Sequence, residues 1–119
     1  MKKILIIEDD VLLSKMMFDR LKCCSEFNVE KALTGIEGLN KVNEFKPEYL
    51  LLDLELPDIH GFDVLDIVKK NYSEIKTIIV SINASGQNKR TAEKMGAKLF
   101  LEKPFDLDAL INFIGCQNH

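Results

Sequence analysis

The stretch YLLLDLELPDIHG, Tyr49 to Gly61, sets a carboxylate at the point where an apolar run stops. Leu50, Leu51 and Leu52 read as a buried strand, while Pro57 and Gly61 mark the residues beyond Asp53 as a loop. Alone, an Asp there is only a turn former. Three other apolar runs also end in reactive groups: Lys3 to Ile7 in Glu8, Asp9 and Asp10, Thr77 to Val80 in Ser81, and Leu99 to Leu101 in Glu102, Lys103 and Pro104. In an open α/β sheet such tips share the edge at which ligands bind. Carboxylates gathered there repel, at roughly 3 kcal/mol for two charges about 5 Å apart at an effective dielectric of about 20. Either their pKa values rise or a cation binds. Mg²⁺, a hard ion held by one or two carboxylates with waters and phosphate oxygens, suits the site, with Mn²⁺ as an alternative ion.

A carboxylate can attack phosphorus and hold it as an acyl phosphate. Phosphoryl transfer is otherwise catalysed mainly by positioning and by neutralising charge on the equatorial oxygens. That chemistry assigns a role to each tip. Asp53 is the nucleophile, Glu8 and Asp9 hold the ion with the Glu55 backbone carbonyl as a further ligand, Lys103 pairs with a phosphoryl oxygen, and Ser81 donates a hydrogen bond.

The elements that must position these groups alternate along the chain. Asp10 is the expected N-cap of a first helix with Leu13, Met16, Met17, Leu21 and Cys24 at helical spacing, a stripe that predicts core packing. Phe27 to Ala32 reads as a short second strand near the sheet's edge. Thr34-Gly-Ile-Glu37 matches a capping box, and Ile36, Leu39, Val42 and Phe45 line a helix that Pro47 stops. Phe62, Val64, Leu65, Ile67 and Val68 mark a third helix ending near Asn71. A fourth begins within Ser85 to Asn88 and closes at Gly96, and Asp106 caps a fifth carrying Leu107, Leu110, Ile111, Phe113 and Ile114. Five strands alternating with five helices through short connections require right-handed crossovers and a parallel sheet covered on both faces.

The 119 residues fit one domain, expected to span residues 1–119, and 46% apolar residues with 29% charged ones describe a folded chain. A net charge of −3 without a basic cluster gives no footprint for direct nucleic-acid binding. No segment is long and apolar enough for a membrane span, and the apolar run near the N-terminus is too short for a signal peptide, so the expected location is cytoplasmic. Cys23, Cys24 and Cys116 lack metal spacing and are expected to be reduced thiols with packing roles.

The motifs IIEDD, LLLDLELPDIHG, IIVS and FLEKPF, in this order and spacing, resemble the receiver domain of two-component response regulators over essentially the whole chain. The resemblance implies a flavodoxin-like doubly wound sheet of order 2-1-3-4-5, with strands one and three neighbours at the switch point. It makes Asp53 the phosphoacceptor, Glu8 and Asp9 the acidic pair, Ser81 the switch hydroxyl, Lys103 the ammonium and Lys103-Pro104 the cis peptide bond. Phe100 falls at the switch aromatic, and switching and plain packing remain equal alternatives there. The implied partners are a sensor histidine kinase or phosphotransfer protein and a downstream protein or output domain. The latter reads the face formed by the fourth helix, fifth strand and fifth helix, a face also suited to homodimerisation.

The chain departs from the family pattern at several points. Glu8 is longer than the common Asp, which suits a water-mediated reach to the ion, and Ser81 lacks the methyl of the commoner Thr. Ile82 stands where Ala or Gly is usual and is expected to crowd the phosphoryl pocket and slow phosphorylation by small donors. Glu55 and Asn83 match the variable positions that tune acyl-phosphate hydrolysis, and His60 is expected to be a solvent-exposed loop residue. The rival readings are an Asp-nucleophile phosphatase, whose D-x-D motif would come after the first strand, a flavin module, and a receiver used only as an interaction surface. With no output domain after Gly115, a free-standing regulator and a receiver excised from a longer protein both stay open.

Overall fold

Apolar residues alternate between the two sides of each central strand, and this alternation divides the molecule into two cores around one sheet. The computed structural model describes residues 1–116. The strands are β1 (Lys2–Ile7), β2 (Phe27–Ala32), β3 (Tyr49–Asp53), β4 (Lys76–Ser81) and β5 (Leu99–Glu102). Between and after them come α1 (Val11–Lys22), α2 (Gly35–Phe45), α3 (Gly61–Asn71), α4 (Gly86–Lys94) and α5 (Leu107–Ile114). All strand pairs are parallel, in the order β2-β1-β3-β4-β5 that the family resemblance implies.

On one face Leu5, Ile7, Leu50, Leu52 and Ile79 pack with Val42 and Phe45 of α2, Val64, Leu65 and Val68 of α3, and Ala92 of α4. On the other, Ile4, Ile6, Leu51 and Ile78 meet Met17 and Leu21 of α1 and Leu110 and Ile114 of α5. β1 and β3 are buried on both sides, which is why they read as unbroken apolar runs rather than alternating ones.

The helix boundaries follow their caps. Asp10, Ser85 and Asp106 each accept a backbone N–H of the helix they precede. Thr34 likewise accepts from Glu37 N, but Glu37 reaches back to Leu33 N at 2.9 Å and not to the cap residue itself, so the predicted box is displaced by one residue. Gly96 takes the left-handed conformation (φ 91°) just past α4. Gly61 opens α3 where a Cβ would lie 2.6 Å from both the Asp53 carbonyl oxygen and Leu54 Cα, so only glycine lets α3 start against the tip of β3.

Two expectations need correction. Cys24 and Cys116 form a disulfide with Cα atoms 6.2 Å apart, and only Cys23, exposed on the surface, is a free thiol. The pairing joins positions 92 residues apart, so no local spacing announces it; it arises because the ends of α1 and α5 lie on the same side of the sheet. The α1 stripe is also narrower than its spacing suggests. Met17 and Leu21 are buried, but Met16 is 54% exposed, and Ile36 and Phe113 likewise face outward on their helices.

Candidate functional site

The β1–β3 register, which pairs Ile7 with Leu52, carries the chain directly into Glu8 on one strand and Asp53 on its neighbour. Both carboxylates are 2% exposed. Glu8 is fixed at both ends, its N–H donating to Ala32 O (3.1 Å) and its Oε2 accepting from Asp10 N–H (3.1 Å). Asp53 Oδ1 accepts from Glu55 N–H at 3.0 Å, which orients the carboxylate plane.

Lys103 arrives from the far side of the sheet. Its N–H donates to Ser81 O at 2.9 Å, continuing the β4–β5 ladder past its last pair, and the next peptide bond, Lys103–Pro104, is cis. Its Nζ lies 2.8 Å from Glu8 Oε1 and 3.3 Å from Asp53 Oδ2. Glu8 Oε1 has this ammonium beside it as an ion pair, out of hydrogen-bonding alignment. Burial, and next the hydrogen bond with Glu8, push Asp53 up to about 8, against the opposing pull of Glu55 N–H and Lys103. Burial draws the Lys103 ammonium down, but Glu8 and Asp53 together outweigh it and the net shift is upward.

Exposed Asp9 joins Glu8 and Asp53 in a group whose carboxylate oxygens lie within 4.8 Å of one another. Three hard oxygen donors, one of them a buried Glu8 oxygen without an aligned donor, fit Mg²⁺. Within the protein the repulsion is relieved by the rise of Asp53 and by the Lys103 ammonium, which bridges Glu8 and Asp53.

A family model described as the response regulator receiver domain matches residues 4–115. The chain belongs to this family. It is 32% identical over 110 residues to the chemotaxis protein CheY of Listeria monocytogenes, covering 90% of this chain and 91% of that one. It is 34% identical over 110 residues to the transcriptional regulatory protein CiaR of Streptococcus pneumoniae, covering 92% of this chain and 48% of CiaR. The chain spans about half the length of several of the curated relatives it matches. Among solved structures, the CheY-like receiver domain protein of Methanospirillum hungatei superimposes with a TM-score of 0.88 at 30% identity, covering 96% of this chain and 90% of that one. The non-phosphorylated HemR receiver domain of Leptospira biflexa gives 0.88 at 29% identity, covering 96% and 91%.

The other residues predicted for the site lie on the loops and strands next to it, at differing depths. Ser81 is fully buried, and its Oγ donates to Glu55 Oε2 at 2.7 Å while accepting from Asn83 N–H at 2.9 Å. Phe100, paired with Ile79 in the sheet, is half-buried and packs against the core on the α4 side. Ile82 is 69% exposed and lines, with Met16, Lys103, Pro104 and Phe105, an apolar cavity of about 420 Å³ beside the site. His60 is exposed as expected, and its Nδ1 accepts from Phe62 N–H at 3.0 Å to cap α3.

Asp58 has no role assigned from the sequence. Asp58 accepts from Gly35 N–H (2.8 Å) and Ile36 N–H (2.9 Å), tying the β3–α3 loop to the start of α2. These N–H groups, Ile36's foremost, hold its pKa below the usual carboxylate range. The Glu55 side chain, expected from sequence to tune hydrolysis, bridges to the tip of β4 through Ser81 and Ile82. Neither contact has a local signature, because the partners lie 22 to 27 residues away.

Proposed function

We propose that this chain is the phosphoacceptor receiver of a two-component system, one domain over residues 1–119, and that Asp53 carries the phosphoryl group. The observation that carries this reading is the Lys103 ammonium within ion-pair distance of both Glu8 and Asp53 at buried strand tips. A simple ion pair needs one acid, whereas here two buried acids share one ammonium and burial holds Asp53 well above the usual carboxylate range, the kind of perturbed cluster found at functional sites.

In the proposed reaction an Asp53 carboxylate oxygen attacks phosphorus. Asp53 first gives its proton to water; the P–O bond then forms as the P–N bond of a phosphohistidine on a kinase or phosphotransfer protein breaks, and the imidazole leaves with the bond's electron pair and takes a proton from water. Glu55 N–H holds Asp53 Oδ1 and so fixes the attacking group. Lys103 stands where it can leave its carboxylate partners for a phosphoryl oxygen, and Ser81 can donate to another. Glu8, Asp9, Asp53 and the Glu55 carbonyl would hold Mg²⁺, or Mn²⁺, whose positive charge lets carboxylates and phosphoryl oxygens share a small space.

Modification of Asp53 would then bias Ser81 and Phe100 between two arrangements, and α4, β5 and α5 form the face that a downstream protein, an output domain or a second copy reads. The chain itself, with net charge −3, is assigned no direct contact with nucleic acid, although the relative RpaA is named a DNA-binding regulator. No helix among the described residues is long and apolar enough to cross a membrane. Borohydride trapping tests the assignment: reduction of an acyl phosphate should convert residue 53 to homoserine, and phosphate recovered on Ser81 would contradict it.

A further inference from the structure

The Ser81 hydroxyl is already engaged. A hydroxyl has one hydrogen, and here it goes to Glu55 Oε2 at 2.7 Å, while Asn83 N–H fills an acceptor position at 2.9 Å. Glu55 Oε1 lies 3.4 Å from Ile82 N–H, so the carboxylate lies against both residues at the tip of β4. Glu55 is rooted two residues beyond Asp53, and its own N–H is bonded to Asp53 Oδ1. The same residue therefore touches the reacting carboxylate through its backbone and the switch hydroxyl through its side chain.

We propose that Glu55 is a positioning residue that holds the Ser81 hydroxyl away from Asp53, so that breaking this hydrogen bond sets the threshold for switching. The inference rests on the reading of Asp53 as phosphoacceptor. A phosphoryl group there offers oxygens that compete for the one Ser81 hydrogen, and its negative charge repels the Glu55 carboxylate. The two arrangements exclude each other, and the affinity of the competitor decides how much modified protein is switched.

The test is an NMR titration with Mg²⁺ and fluoroberyllate, a phosphoryl mimic, monitored at Ile82, Asn83 and Phe100 in five proteins: wild type, Glu55→Ala, Glu55→Gln, Ser81→Ala and the Glu55→Ala/Ser81→Ala double variant. Glu55→Ala should tighten the apparent affinity roughly tenfold, the scale of one hydrogen bond to a charged acceptor. Glu55→Gln should tighten it less, because the amide oxygen still accepts. In the Ser81→Ala background the Glu55→Ala gain should fall below about twofold, since the coupling runs through the hydroxyl. Equal tightening in both backgrounds would reduce the effect to charge repulsion and overturn the inference.

A ligand-free measurement guards against misfolded variants. Ser81 Hα–Hβ couplings should report one rotamer in the wild type and averaging in Glu55→Ala, and averaging already in the wild type would overturn the inference. No response to fluoroberyllate in any of the proteins would sink the phosphoacceptor reading, whereas a response with equal tightening would sink only the role given to Glu55.

Discussion

Replacing Asp53 by Asn should stabilise the metal-free protein at alkaline pH. Asp53 has an unfolded-state value near 3.8 and is pushed up to about 8 in the folded protein. The folded state therefore holds its proton more tightly than the unfolded state does. This group favours folding most below about pH 4, and that contribution is lost as pH rises through about 8. At 1.36 kcal/mol per unit the ceiling is on the order of 5 kcal/mol, and relaxation and the nearby Lys103 bring the expected gain for Asn to about 1 to 3 kcal/mol. Asn keeps an Oδ1 for Glu55 N–H, and Lys103 keeps Glu8, so neither contact should cancel the gain. For a chain of this size that is roughly 5 to 10 °C in midpoint. The assay is thermal unfolding of both proteins in chelator at pH 4 and pH 8.5. The difference in midpoint should be small at pH 4 and favour Asn at pH 8.5, and adding Mg²⁺ should raise the wild type more than the variant. A variant no more stable than wild type at pH 8.5 would refute the placement of Asp53 as a buried, strained acid.

Other parts of the molecule respond to simpler perturbations. Gly61→Ala should cost more than about 2 kcal/mol in urea unfolding, because its Cβ would meet backbone atoms of residues 53 and 54 at 2.6 Å. Reducing the Cys24–Cys116 disulfide opens a link between positions 92 residues apart, and should lower stability by up to about 4 to 5 kcal/mol on the chain-entropy scale, read as a drop in melting temperature with added reductant that a Cys116→Ser variant does not show. Ile82→Ala should speed phosphorylation by acetyl phosphate several-fold if the branched side chain at the cavity rim hinders small donors, and an unchanged rate would clear Ile82 of that role.

The sheet and the candidate site at its edge were legible in the sequence because each signal is local. A buried apolar run ends abruptly and the next residue is a carboxylate or hydroxyl, as at Leu52 to Asp53 and Val80 to Ser81, while the half-buried β5 run ends at Leu101 with Lys103 two residues on. Caps are local as well, and Asp10, Thr34, Ser85 and Asp106 all stand where their residue types place them. The parts not legible depend on tertiary approach. The Cys24–Cys116 link, the Asp58 bonds to α2 and the Glu55 bridge to Ser81 join distant segments through side chains that have several other uses. Met16 shows the converse limit: helical spacing allowed burial, but the residue faces the cavity beside Lys103, open to solvent.

The central claim is that Asp53 takes a phosphoryl group in a reaction that depends on the acids around it. Intact-mass spectrometry after incubation with acetyl phosphate and Mg²⁺ tests it most directly. The account predicts the gain of a single phosphoryl group by the wild type, and no gain by Asp53→Asn or in chelator. An unmodified wild type, or equal modification of the Asn variant, would contradict it.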